Sequence, residues 1–180
     1  MFSWPLAAYR LTSTFGPRTH PVTGEKGKAH GGIDLAVPVG TPVAAVGRGT
    51  VGVVQLDHAK AGHYVEVDHG DGTWTRYLHL SRVDAKVGQP VNAGTIIGLS
   101  GGKPGDRGAG TSTGPHLHFE LWQGGRPYRG GKAVDPLPFL TRKLGEAAVK
   151  VARSGVVLWG IGGLLVLGYL WARSRRRAAT

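Results

Sequence analysis

The sequence predicts an all-β fold, a small antiparallel β-sandwich, followed by one C-terminal transmembrane helix. Three observations carry this expectation. Gly (31) and Pro (11) punctuate short apolar runs across the 180 residues without forming a low-complexity tract, the pattern of many turns joining short strands. Two segments look alike, Val39-Gly40-Thr41-Pro42-Val43 and Val87-Gly88-Gln89-Pro90-Val91, each placing a tight turn before a strand, as in small β-sandwiches with a pseudo-repeat. Gly155 to Ala172 is an 18-residue stretch without a charged side chain.

In chain order, Phe2 to Ala8 is too short, and too interrupted by Pro5, to be the apolar segment of a signal peptide, so the folded domain is expected to begin almost at Met1. Thr50-Val51-Gly52-Val53-Val54, Tyr64-Val65-Glu66-Val67 and Thr95-Ile96-Ile97-Gly98 are strand candidates. Asp71-Gly72 is a two-residue hairpin signal between Val65-Glu66-Val67 and Trp74-Thr75-Arg76-Tyr77. Asp135-Pro136-Leu137-Pro138 closes the body, giving a domain over 1–140. A helical linker is expected over 141–154, the membrane helix over 155–172 and a basic tail over 173–180. As a helix the apolar stretch is about 27 Å long, at the short end for a ~30 Å hydrocarbon core. Trp159, Tyr169 and Trp171 are placed to sit at the interfaces, and Arg173, Arg175, Arg176 and Arg177 flank the end. The basic residues on the two sides balance in number. The second group is denser, which leans toward the large domain lying outside.

Cysteine is absent, so a disulfide framework and a thiolate-bound metal are both excluded. Any metal must be held by His and carboxylates. The formal net charge of +11 favours anionic partners: nucleic acid, acidic lipid or the polyanions of a bacterial envelope. Nucleic acid is disfavoured, because the basic residues are dispersed apart from the cluster that follows the apolar stretch.

Four of the eight histidines lie in three segments: His30-Gly31-Gly32-Ile33-Asp34, Tyr77-Leu78-His79-Leu80 and His116-Leu117-His118-Phe119-Glu120. On a strand, Leu117, Phe119 and Leu121 face a core while His116, His118 and Glu120 share the opposite face. In the first segment Gly31-Gly32 argue against a helix and permit unusual dihedrals and close approach to a ligand. One carboxylate with imidazoles is the ligand set expected for zinc in the absence of cysteine. His58, His63 and His69 lie near turns and are expected to be solvated; His20 has no assigned role.

The chain resembles the lysostaphin-like, LytM-type zinc endopeptidases that cut peptidoglycan. The matching stretches are Ser13-Thr14-Phe15-Gly16-Pro17-Arg18-Thr19-His20-Pro21, His30-Gly31-Gly32-Ile33-Asp34-Leu35-Ala36, Tyr77-Leu78-His79-Leu80-Ser81 and Thr113-Gly114-Pro115-His116-Leu117-His118-Phe119-Glu120. They recur in the family's order over roughly residues 2–138. The resemblance implies that His30, Asp34 and His118 bind Zn2+, and that His79 and His116 face the reacting group as catalytic residues. His116 is taken as general base and His79 as oxyanion stabiliser or proton donor; the two roles are exchangeable at this level. Arg18 and Tyr77 are assigned to the substrate groove. The expected partners are peptidoglycan and, through residues 155–172, a lipid bilayer. The competing reading is a non-catalytic zinc-containing module that binds the wall or regulates another hydrolase. A C-terminal span without a leader is not the family's common layout, and it suits a bacteriophage virion or lysis component as well as a cellular enzyme.

Overall fold

A computed structural model describes residues 2–18, 27–142, 159–161 and 164–166. Contacts divide the chain into two compact units, 1–144 and 145–180. The first is all-β and antiparallel almost throughout. Seven strands form its main path: Pro90–Val91, Gly49–His58, Gly62–Asp68, Trp74–Val83, His116–Gln123, Ile33–Ala36 and Arg10–Ser13, in that spatial order. Ten of the body's described strands join one sheet, branched where Ile96–Ser100 pairs with both Trp74–Val83 and Pro42–Ala44, and two further pairs of strands stand outside it, Phe2–Ser3 with Leu140–Arg142 and Gly16–Arg18 with Lys28–His30. Both arms of the branch feed one core, which contains Val43 and Ile97 from one arm and Leu117, Phe119, Val65 and Tyr77 from the other.

Local chemistry explains the main elements. At the Asp71-Gly72 turn both residues adopt positive φ (51° and 71°), as a tight hairpin with right-handed strand twist requires. Thr73 N–H donates to Gly70 C=O across the turn, and Asp68 pairs with Trp74. The two look-alike segments make the same turn. Gly40 and Gly88 sit at φ 86° and 83°, and the N–H after each donates back three residues, Thr41 to Pro38 and Gln89 to Lys86. Phe2–Ser3 pairs in parallel with Leu140–Arg142, tying together the two ends of the body. Residues 141 and 142 therefore belong to a strand and not to the expected helical linker, whose remainder lies outside the described residues.

Tyr77, Phe119, Leu35 and Leu117 are fully buried. Each such side chain contributes about 1.5–3 kcal/mol relative to exposure. The Tyr77 hydroxyl would be costly in this core without partners. It accepts from Val46 N–H at 3.0 Å and from Thr75 Oγ1 at 3.1 Å. Thr75 Oγ1 in turn lies 2.8 Å from His69 Nε2. His69, half-buried, is thus the outer end of a hydrogen-bonded chain that runs inward to Tyr77.

In the second unit, the described residues Trp159–Ile161 and Leu164–Val166 form a short antiparallel pair. These six residues are extended where a helix was expected; the rest of 155–172 lies outside the described residues. Among the described residues, no helix is long and apolar enough to cross a membrane.

Candidate active site

The site is built by register. Ile33–Ala36 and Trp74–Val83 flank His116–Gln123, and His118 pairs directly with Asp34 on one side and Leu78 on the other. Alternation along His116–Gln123 buries Leu117, Phe119 and Leu121 and turns His116 and His118 to the other face. His30 ends the strand Lys28–His30, which pairs with Gly16–Arg18. The three converge. Asp34 Oδ1 lies 2.7 Å from His118 Nδ1 and 3.2 Å from His30 Nε2, and the two ring nitrogens are 3.1 Å apart.

Gly32 makes this convergence possible, for a reason other than unusual dihedrals, since neither Gly31 nor Gly32 has positive φ. A Cβ on Gly32 would stand 2.2 Å from the Phe119 carbonyl oxygen, whereas one on Gly31 would meet only Glu120 Oε1 at 3.7 Å. Gly32→Ala is therefore expected to push Ile33–Ala36 off His116–Gln123. A stability loss of about 1–3 kcal/mol follows, the usual cost of overpacking, while Gly31→Ala stays within about 1 kcal/mol of wild type. Thermal or denaturant unfolding of the two variants checks the contrast.

Each imidazole is oriented by its other nitrogen. His30 Nδ1 lies 2.7 Å from the Thr14 carbonyl, which can only accept. Nδ1 therefore carries the proton, and the Nε2 lone pair points into the cluster. His118 stands between two carboxylates, with Nε2 3.1 Å from Glu120 Oε1 and Nδ1 facing Asp34. Burial opposes the charged ring, but the hydrogen bonds to Asp34 and Glu120 prevail and raise its pKa to about 9. Burial likewise works against an ionised Asp34, and the hydrogen bonds to His118 and His30 overcome it, holding the carboxyl well below the usual range. The donor set thus offers two ring nitrogens and one carboxylate oxygen within 4.8 Å of one another. The proton on His118 Nδ1 is the one a cation would displace. Two imidazoles and a carboxylate without sulfur fit zinc.

His116 and His79 stand beside this cluster, their rings 5.0 Å apart. His116 Nδ1 lies 2.7 Å from the Gly114 carbonyl, so Nδ1 is the protonated nitrogen. Nε2 then faces Asp34 Oδ1 at 3.6 Å with its lone pair available. Burial lowers the pKa of His116 and keeps the ring neutral at pH 7, although the hydrogen bond to Gly114 opposes the shift. In His79 burial, then His116 and His118, lower the pKa to about 4.

His79 reaches the site through a break in strand alternation. Its φ is 60°, and the pairing with Gly62–Asp68 shifts register between His63 and Val65. Leu78 and His79 consequently both line the groove, while Tyr77 and Leu80 are buried in the core. A non-glycine residue in this conformation costs about 1–2 kcal/mol. His79→Gly is therefore expected to be more stable than His79→Ala by roughly 1 kcal/mol, with both variants losing turnover. A paired unfolding series checks this, and equal stabilities would contradict the strain.

The groove has a volume of about 1200 Å³ and is lined by Lys60, Tyr64, Arg126, Tyr128 and Arg129 beside the four site residues Asp34, His79, His116 and His118. Tyr77, expected in the substrate groove, is not there; it is a fully buried core residue because it points to the face opposite Arg76 and Leu78. Arg18 ends a strand at the edge of the described residues, two register positions from the Gly16–His30 pair. His20 lies outside the described residues. His63, expected in solvent, is buried and accepts from Asp57 N–H at 2.9 Å. His58 is exposed at the groove, its Nδ1 accepting from Ala61 N–H.

The model of "Peptidase family M23" matches residues 28–136, which include all five of His30, Asp34, His79, His116 and His118. The chain belongs to peptidase family M23. The M23 domain is 47% identical over 130 residues to the peptidoglycan DD-endopeptidase ShyA of Vibrio cholerae, a match covering 72% of this chain and 28% of that protein. The match spans under a third of the length of this and two other curated relatives. Among solved structures, a zinc-containing peptidase from Vibrio cholerae is 41% identical, with a TM-score of 0.60 over 74% of this chain and 38% of that one. The catalytic domain of lysostaphin from Staphylococcus simulans is 33% identical, with a TM-score of 0.61 over 73% of this chain and 91% of that one. Several polar residues of the M23 domain escaped the sequence reading. Arg76, Glu66, Tyr64, Tyr128 and Arg126 reach the site across strands or from a loop, and no spacing in the chain marks them.

Proposed function

We propose that this M23 domain hydrolyses peptide bonds of bacterial peptidoglycan, in cross-links or stem peptides, using zinc held by His30, Asp34 and His118. The observation that carries this is the pair of imidazoles, His79 and His116, beside a His/Asp/His donor set on one groove wall. When bound, zinc supplies Lewis acidity, lowering the pKa of water toward ~7 and polarising a carbonyl. His116 is placed to act as general base, because the Gly114 carbonyl holds the proton on Nδ1 and leaves Nε2 facing the site. His79, neutral at pH 7, is then placed to stabilise the oxyanion by donating an N–H, and the proton taken up by His116 passes to the leaving amine. The name of the ShyA relative supports peptidoglycan as substrate. The exposed Lys60 and Arg129 on the groove suit a peptide carboxylate.

The proposal extends to a membrane anchor over residues 155–172 with the M23 domain facing the wall. Its support is in the sequence, an uncharged stretch followed by Arg173, Arg175, Arg176 and Arg177. Fractionation of cells expressing the full chain tests the anchor, and release by salt alone would refute it. A phage setting is compatible with the same chemistry, and recovery of the chain from purified virions would place it there.

The decisive experiment incubates the zinc-loaded protein with purified walls of several cross-link types, with and without chelator, and identifies released fragments by mass spectrometry. Chelator-sensitive peptide fragments support the peptidase and name its bond. Intact walls beside stoichiometric zinc would indicate a binding module instead.

A further inference from the structure

Behind the donor cluster runs an unbroken line of paired charges that the chemistry above does not use. Arg126 Nε donates to Glu66 Oε2 at 3.0 Å, and Glu66 Oε1 lies 3.0 Å from Arg76 Nε. Arg76 Nη1 donates to Glu120 Oε2 at 3.0 Å, and Glu120 Oε1 faces His118 Nε2 at 3.1 Å. Sheet register sets this line, because Arg76 pairs with Glu66 on one side and Glu120 on the other. Glu66, Arg76 and Glu120 are 2%, 4% and 4% exposed. The rings of Tyr64 and Tyr128 hold the guanidinium at 4.5 and 5.2 Å. Trp122 Nε1 adds a second donor to Glu120 Oε2 at 2.7 Å.

Stability is a weak account of such a network. Burying ions costs several kcal/mol apiece, and well-packed apolar residues often do as well or better. What apolar packing would not supply is a fixed acceptor opposite one chosen nitrogen of His118. Two donors pin Glu120 Oε2, so Oε1 is left aimed at Nε2, and the ring can then offer only Nδ1 to the cluster. Second-layer carboxylates on ligand imidazoles act in this way in metal sites generally.

The geometry points to Arg76 as a positioning residue for the metal site, holding His118 through Glu120 so that Nδ1 faces Asp34 and the ion. This rests on the zinc reading above. The test uses the full chain, wild type and two variants, Glu120→Gln and Arg76→Lys. Three quantities are measured: zinc affinity by competition with a chromogenic chelator, the His118 tautomer in the zinc-loaded protein by 15N NMR of the imidazole, and the melting temperature of the metal-free protein. Glu120→Gln is expected to weaken zinc binding by about 10–100-fold. Arg76→Lys keeps the charge but loses the planar fork that bridges both carboxylates. It is expected to fall between wild type and Glu120→Gln, with a mixture of His118 tautomers in place of the single Nε2–H form. A merely structural network predicts lower melting temperatures with zinc affinity within about twofold of wild type and an unchanged tautomer, and that result overturns the assignment. Should Glu120→Gln fail to fold, Arg76→Lys decides by the same readouts. Absence of zinc binding by the wild type would overturn the metal reading itself. Tight wild-type binding with unaffected variants overturns only the positioning role.

Discussion

His118→Ala is expected to lose zinc. Loss of an outer partner of a metal ligand already costs about 10–100-fold in affinity, so loss of the ligand itself is expected to cost more than about 100-fold. His118 is the hub of the cluster, with Nδ1 within 2.7 Å of Asp34 and 3.1 Å of His30 Nε2. The cleanest readout is the zinc-dependent shift in melting temperature, because an ion at about 100 times its Kd stabilises the native state by about 2.7 kcal/mol. Wild type gains that shift and the variant does not. The metal-free proteins also differ, since His118 pairs with two carboxylates. Its pKa is raised to about 9 from an ordinary 6.5, so this contribution is fully present below about pH 6.5 and fades as pH rises through about 9. The wild-type advantage in the metal-free state should therefore narrow toward pH 9. Full zinc occupancy in His118→Ala would remove this residue from the ligand set.

Why part of this site was legible in sequence, and part not, follows from which interactions are local. The His116-Leu117-His118-Phe119-Glu120 run reads correctly because alternation is a property of the strand itself, and Leu117 and Phe119 are fully buried as the pattern requires. That Asp34 lies across from His118 is a matter of register between distant strands, which the chain does not spell out and only the family resemblance implied. Tyr77 failed as a groove residue for a local reason. It stands two positions before His79 and would share its face on a regular strand, but the positive φ at His79 breaks the alternation. His63 was misplaced because closeness to a turn was equated with exposure, whereas its ring packs beneath the backbone of Gly108, where a Cβ would meet it at 2.6 Å. Glu120 was placed on the site face correctly, yet its partners Arg76 and Trp122 were not found, since one is opposite it only through pairing. The branched ten-stranded sheet was hidden for a similar reason, as the branch at Ile96–Ser100 is a long-range pairing that turn signals do not encode.

His116→Ala separates chemistry from metal binding, and its expected outcome is the reverse of that for His118→Ala: zinc stays and turnover goes. His116 is not among the three converging donors, and its Nε2 stands 3.6 Å from Asp34, farther than either His30 or His118. Its own orientation depends on backbone, through the Gly114 carbonyl, and on Ser112 Oγ at 3.1 Å, neither of which belongs to the donor set. Removing the ring should therefore leave His30, Asp34 and His118 in place and zinc affinity near that of wild type. Turnover is expected to fall by about 10²–10⁴, the usual worth of a positioned general base. The loss should appear in kcat, with KM little changed, because the ring contributes to proton transfer and not to holding the peptide. His116→Gln sharpens the point, since it restores a polar group of similar reach without a titratable nitrogen and should recover little activity. A zinc-loaded His116→Ala protein that cleaves walls at the wild-type rate would transfer the role of base to His79, whose ring lies 5.0 Å away and is also neutral at pH 7.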